Sequence, residues 1–157
     1  MIISTLKTGG PEETRALGSC LGKLLLPGDT LALAGELGSG KTVLAQGILS
    51  ARLGKGHYPS PTFTLVNAYP GGLYHLDLYR LTDPAQIEDL GYEEIFSPET
   101  IAVVEWGERS SAYLPPDRLE IGLSGAGSER ELTFRPGGPR STRLLQALLA
   151  LWEEGTC

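Results

Sequence analysis

At 157 residues, 41% of them hydrophobic and with a mean hydropathy of −0.05, the chain is long enough for one well-buried core and too short for two ordinary domains. Its net charge of −6, from 13 basic and 19 acidic residues without a Lys/Arg cluster, argues against a protein that grips nucleic acid alone, which needs a basic face. No apolar run approaches the roughly 18–20 residues of a membrane span, and Met1–Lys7 lacks a basic-then-apolar signal pattern, so a cytoplasmic protein is expected.

Ile2–Leu6 predicts a first strand. Pro11, followed by Glu12 and Glu13, opens a helix in which Leu17, Cys20, Leu21, Leu24 and Leu25 recur at helical spacing, and Pro27-Gly28-Asp29 ends it. Cys20 falls on the apolar stripe, where a buried thiol is expected, whereas Cys157 is the last residue and is expected to fray. Two cysteines and two histidines without paired spacing give neither a disulfide framework nor a zinc site.

Leu31-Ala32-Leu33-Ala34 reads as a buried strand, and Val43–Leu49 as a helix stopped by Gly54. Residues 54–62 form a turn-rich stretch expected to be mobile. Thr62–Tyr69 and Leu73–Tyr79 alternate and are joined by Pro70-Gly71-Gly72, which predicts a hairpin over 62–79. Asp83-Pro84 starts a short helix through Ile87 and Leu90, ended by Gly91, and Ile101–Val104 is an apolar strand running into Glu105-Trp106. A second hairpin is predicted over 118–135, and Ser141 is placed as the cap of a last helix over 141–152. The fold class is α/β, one domain over 1–157, with a mixed parallel and antiparallel sheet flanked by helices.

Between the second strand and second helix lies Gly35-Glu36-Leu37-Gly38-Ser39-Gly40-Lys41-Thr42. It fits G-x-x-x-x-G-K-S/T, and strand–loop–helix is the context this phosphate-binding loop requires. Backbone N–H groups of such a loop converge on phosphates at the positive end of the new helix. Lys41, expected to be exposed in the empty loop, would reach the β- and γ-phosphates, and the Thr42 hydroxyl would ligate Mg²⁺. The plainer alternative is a glycine-rich turn before an ordinary helix.

Nucleotide hydrolysis calls for a carboxylate near the magnesium, at the end of an apolar strand beside that loop. Glu105 has the better strand. Asp77 lies in His75-Leu76-Asp77-Leu78-Tyr79, sharing a face with His75 and Tyr79, where a solvated strand face is the alternative. For Glu105 the alternative is a carboxylate near a helix start. Ser60-Pro61-Thr62-Phe63-Thr64 supplies three hydroxyls in a proline-constrained segment, in which a threonine can sense the γ-phosphate through magnesium, or which is merely a rigid turn into the hairpin.

GELGSGKT at 35–42, SPTFTLV at 60–66, YHLDLYRL at 74–81 and VEWGER at 104–109 together resemble TsaE (also called YjeE), the small ATPase of bacterial tRNA threonylcarbamoyladenosine modification, along nearly the whole chain. The resemblance implies a P-loop fold that binds ATP with Mg²⁺ and joins the TsaB–TsaD pair. In that system TsaD modifies adenosine 37 of tRNA, while the TsaE-like subunit hydrolyses ATP to reset the complex. Carried over by motif, Glu36, Leu37, Gly38, Ser39, Gly40, Lys41 and Thr42 hold nucleotide, Thr42 and Glu105 the metal, and Lys41, Asp77 and Glu105 act in catalysis. Trp106 follows Glu105 as in the family pattern, Thr62 and Thr64 lie in a switch-like segment over 56–64, and Arg130 matches a family arginine near the nucleotide. Gly107 stands where proline is common, and Glu36 where aspartate is usual. On this reading tRNA is met only through the complex, in keeping with the acidic composition.

Two other classes compete. A small-molecule kinase needs an arginine-bearing lid, yet residues 54–61 contain no arginine, and Arg80, Arg109, Arg140 and Arg143 are scattered along the chain. A nucleotide switch without meaningful turnover is the other alternative.

Overall fold

The computed structural model describes residues 3–157; Ile2, expected in the first strand, lies outside them. In chain order the elements are β1 (Ser4–Thr8), α1 (Pro11–Leu24), β2 (Thr30–Ala34), α2 (Lys41–Leu53), β3 (Val66–Tyr69), β4 (Leu73–Asp77), α3 (Tyr92–Ile95), β5 (Ile101–Glu105), β6 (Leu119–Ser124), β7 (Arg130–Pro136) and α4 (Pro139–Glu154). Turns of 3-10 helix occupy Pro84–Leu90 and Gly107–Tyr113.

The strands form one seven-stranded sheet ordered β1-β7-β6-β2-β5-β4-β3. β2 runs parallel to both β5 and β6, and β4 parallel to β5. The two hairpins add antiparallel β3 and β7, and β1 closes the far edge antiparallel to β7. This is the expected mixed sheet. Leu31, Leu33 and Ile101–Val104 are buried, as central parallel strands covered on both faces require.

On one face, α1, α2 and α4 pack over Leu31, Leu33, Val103, Ile121 and Phe134. The other face, at β4 and β5, is covered by the 3-10 turns and α3 through Ile87, Ile95 and Leu114. Glycines let α1 lie against α2: a Cβ at Gly18 would meet the Leu44 carbonyl oxygen, and one at Gly47 the Arg15 carbonyl. No side chain fits at these crossings, so α2, which follows the glycine-rich loop 35–40, is seated on α1 backbone to backbone. Among the described residues no helix is long and apolar enough to cross a membrane.

Several boundaries differ from the sequence expectation. The first hairpin begins at Val66, not Thr62, because residues 62–64 form a turn in which Leu65 N–H donates to the Pro61 carbonyl at 2.9 Å, with Leu65 at φ 68°. Ser141 is not the cap of α4. The helix starts two residues earlier, and the Ser141 hydroxyl accepts the N–H groups of Gly137 and Gly138 at 2.9 and 3.1 Å. Asp117, from the loop before β6, supplies the missing cap, accepting from the N–H groups of Arg140 at 2.8 Å and Ser141 at 3.0 Å.

The cysteine expectation is also overturned. Cys20 and Cys157 are joined by a disulfide across 137 residues, with their Cα atoms 5.0 Å apart. Gly155, left-handed at φ 68°, ends α4, and Thr156 N–H donates to the Leu151 carbonyl at 3.1 Å, turning the last residues back toward α1. Neighbouring positions of α1 and α4 are a tertiary fact, so spacing along the chain gave no sign of this bond.

Candidate functional site

Because β2, β4 and β5 are parallel neighbours, their carboxyl ends open on the same edge of the sheet. Asp77 and Glu105, the last residues of β4 and β5, are register partners, and Glu105 is also the register partner of Leu33 just before the glycine-rich loop 35–40. A cavity of about 440 Å³ lies there, lined by residues 37–43 together with Pro11, Thr14, Ser60, Thr62, Asp77, Tyr79, Arg80, Glu105, Trp106, Ser128 and Arg130. The sequence-proposed Leu37, Gly38, Ser39, Gly40, Lys41, Thr42, Thr62, Asp77, Glu105, Trp106 and Arg130 therefore converge. Glu36 and Thr64 do not line it. Glu36 contributes only its carbonyl to the loop, and the exposed Thr64 hydroxyl donates to the Val66 carbonyl at 3.4 Å.

Gly40 turns the loop into α2 with φ 105° and ψ 8°, a left-handed conformation that strains any residue with a Cβ. Leu44 N–H donates to the Gly40 carbonyl at 2.9 Å, leaving the preceding N–H groups at the helix start free for an anion. Lys41 is not exposed as expected; it is 5% accessible. Its ammonium donates to the Gly35 carbonyl, to the Glu36 carbonyl at 2.9 Å and to Ser39 Oγ at 3.3 Å, and it lies 3.9 Å from the centre of the Trp106 ring. The ammonium thus satisfies its donors on its own loop. Burial lowers the Lys41 pKa, against the opposing pull of Glu105, Glu108, Asp77 and Glu36.

Arg130 braces the loop from the second hairpin. Its guanidinium donates to the Ser39 carbonyl at 2.8 Å and the Gly38 carbonyl at 3.0 Å, and to the Gly127 and Glu129 carbonyls of its own turn.

The two carboxylates are set apart electrostatically. Burial would raise Glu105, but the hydrogen bond and electrostatic pull of His75, with hydrogen bonds from Ser60 and Thr42, outweigh it and hold its carboxyl below the usual value. Oε1 accepts from Thr42 Oγ1 at 3.0 Å, and Oε2 lies 2.8 Å from Ser60 Oγ and 2.6 Å from His75 Nε2. Asp77 moves the other way. Burial raises it, against a hydrogen bond from Tyr79 N–H to Oδ1 at 3.0 Å, and the nearby Glu105 charge adds to the rise. Paired groups pushed in opposite directions mark sites where protonation states are being assigned.

Trp106 holds a left-handed backbone, φ 62°, with its N–H donating to the Leu33 carbonyl at 2.9 Å. Such a conformation in a bulky residue is strained and characteristic of functional sites; here it places the indole over Lys41 and 5.0 Å from the Tyr79 ring. The arginines that look scattered in sequence are partly gathered. Arg109 stacks 5.4 Å from both Tyr79 and Trp106, and Arg80 lies 4.7 Å from the ring of Phe63, which is 82% exposed. The turns after β4 and β5 adjoin because their strands do. Arg140 lies elsewhere, on Asp29 at 3.3 Å.

Sequence reasoning missed Pro11, Thr14, Tyr79, Arg80 and Ser128, which reach the cavity only through tertiary packing. It also passed over Ser60, though it sits among the three hydroxyls, and His75, whose signal was its shared strand face with Asp77.

A family model for threonylcarbamoyl adenosine biosynthesis protein TsaE matches residues 8–132.

The chain belongs to the TsaE family.

The tRNA threonylcarbamoyladenosine biosynthesis protein TsaE of Bacillus subtilis is 39% identical over 146 residues, covering 90% of this chain and 91% of that protein. Its Treponema pallidum counterpart is 36% identical over 125 residues, covering 78% and 93%. The crystal structure of Bacillus subtilis YdiB superposes with a TM-score of 0.76 at 33% identity, covering 96% and 97% of the two chains. The TsaE match takes in the loop 35–42, the segment 56–64, both carboxylates and Arg130, and stops before α4 and Cys157.

Proposed function

We propose that this TsaE-family chain binds ATP with Mg²⁺ and hydrolyses it in support of tRNA threonylcarbamoyladenosine formation, beside a TsaB–TsaD pair in the cytoplasm. The observation that carries the reading is the convergence of Lys41 and Thr42 with the strand-end carboxylates Asp77 and Glu105 on one cavity.

The residues suit a nucleotide and its metal. Thr42 and Glu105 form an oxygen-only donor set, the kind a hard divalent cation takes. Among the described residues no group of three or more His, Cys, Asp or Glu side chains is arranged to hold a metal, which fits an ion held by one or two protein ligands plus substrate phosphates. Thr42 and Glu105 would hold Mg²⁺, which would offset charge on the β- and γ-phosphate oxygens. Glu105, held below the usual carboxyl range, is ionised for that task at neutral pH. The Lys41 ammonium exchanges the Gly35 and Glu36 carbonyls for phosphate oxygens, a stronger charge-assisted acceptor. N–H groups at the start of α2 bind the same anion, and Arg130 keeps the loop in shape.

The chain's net charge of −6 supports reaching tRNA through partners. ATP turnover measured with and without the cognate TsaB–TsaD pair tests the reading. Stimulated, Mg²⁺-dependent hydrolysis is expected. Slow turnover in every mixture would favour a nucleotide switch, and a phosphorylated acceptor would favour a kinase.

A further inference from the structure

His75 is wholly buried, and its Nδ1 atom has no hydrogen-bond partner. A leucine, such as Leu73 or Leu76 on the same strand, would fill a core position without leaving a polar atom orphaned, and buried polar atoms without partners are rare. What histidine adds here is the other nitrogen, Nε2, 2.6 Å from Glu105 Oε2. The register puts His75 opposite Val103, and Asp77 opposite Glu105. Strand alternation therefore brings His75, Asp77 and Glu105 to one face.

The two oxygens of Glu105 are treated differently. Oε2 is shared by His75 and Ser60, whereas Oε1 faces only Thr42 Oγ1 at 3.0 Å. Of the two Oε2 partners, Ser60 belongs to the loop between α2 and β3, while His75 sits inside the β4–β5 ladder. A donor on a paired strand stays in place when a loop moves.

We propose that His75 is a positioning residue for Glu105: its Nε2–H holds the carboxylate in one rotamer and occupies Oε2, so that Oε1 alone is presented beside the Thr42 hydroxyl. The inference rests on the Mg²⁺–ATP reading above. Outer hydrogen bonds of this kind orient ligating carboxylates, and their loss costs about 10–100-fold in metal affinity or activity.

The test is the gain in affinity for a non-hydrolysable ATP analogue when Mg²⁺ replaces EDTA, measured on the full chain. His75→Leu is expected to lose about 10–100-fold of that gain, with affinity in EDTA unchanged. His75→Gln, whose amide N–H can stand in for Nε2–H, is expected to recover most of it. A gain that survives intact in His75→Leu, or a Gln variant as impaired as the Leu variant, overturns the inference alone. Absence of any Mg²⁺-dependent gain in the unmutated chain overturns the Mg²⁺–ATP reading and this inference with it. Should His75→Leu fail to fold, long-range ¹H–¹⁵N NMR of the unmutated chain decides: a proton on Nε2 is expected, and an imidazole lacking it overturns the inference.

Discussion

Asp77 and Glu105 are register partners at the ends of two parallel strands, yet their environments push their carboxyls in opposite directions. Glu105 is surrounded by donors from three different elements, and Asp77 accepts one backbone N–H from its own turn. Side-by-side placement alone would make both carboxyls harder to ionise; the donors around Glu105 bring its carboxyl below the ordinary value, while burial leaves that of Asp77 above it.

That division predicts the effect of neutralising each. Asp77→Asn and Glu105→Gln should each lower partner-stimulated ATP hydrolysis by about 10²–10³-fold, the scale of removing one group that stabilises developing charge. Nucleotide affinity without Mg²⁺ should change little. Steady-state turnover beside equilibrium binding checks both, and a variant with normal turnover assigns its residue a structural role.

Lys41 gives a prediction with two signs. Its pKa is lowered from 10.5 on folding, chiefly by burial, so the fold disfavours the ammonium. The resulting loss of stability is present below the folded value and is relieved as pH rises toward the unfolded one. Lys41→Met should therefore unfold at a temperature no lower than the unmodified chain at pH 7. Its nucleotide affinity should nevertheless fall by roughly 10–100-fold, the loss of a charge-assisted contact of about 1.5–3 kcal/mol. Thermal scans and nucleotide titration read the two effects separately, and a clearly lower unfolding temperature would show that the ammonium holds the loop together.

Asp117 ties stability to pH at the other end of the molecule. Burial would raise it, but hydrogen bonds from the Ser141 hydroxyl and from the N–H groups of Ser141 and Arg140 bring it below the ordinary value of 3.8. A depressed carboxyl contributes stability above its unfolded value and loses it as pH falls through the folded one. Asp117→Ala should cost about 1 kcal/mol at pH 7, the worth of a helix cap, and the difference from the unmodified chain should narrow at an acidic pH below the ordinary carboxyl value. Urea unfolding at the two pH values measures it; an equal difference at both would exclude the carboxylate as the cause.

The segment 56–64 is expected to respond to nucleotide. Ser60 joins it to Glu105 at 2.8 Å, and the Asp77 N–H donates to the Leu65 carbonyl at 3.0 Å just beyond its end. Both carboxylate residues are thus mechanically linked to it. Hydrogen exchange in 56–64 should slow more with an ATP analogue and Mg²⁺ than with ADP. Thr62→Ala should shrink that difference, while Thr64→Ala, whose hydroxyl turns away to Val66, should leave it. Equal exchange with both nucleotides would make the segment a fixed turn before the hairpin.

Local chemistry accounts for what the sequence determined alone. A short apolar strand, a loop whose glycines permit left-handed turns, and Lys-Thr at a helix start make the pattern of a phosphate-binding loop legible over eight consecutive positions. Alternation and Gly/Pro punctuation likewise marked both hairpins and the mixed sheet, because they depend on neighbours in the chain. Asp77 and Glu105 were legible as candidates because each ends a strand with a readable pattern. Tertiary structure decided everything that required two distant segments to meet. His75, Ser60 and Thr42 become donors to one carboxylate only when β4, the loop after α2 and α2 itself are assembled around β5. Asp117 replaces Ser141 as the cap of α4, and Cys157 reaches Cys20, only because the chain's last helix packs beside its first. Lys41 folds onto the carbonyls of its own loop under Trp106 because a buried ammonium must find acceptors, and which acceptors are near is set by the folded loop.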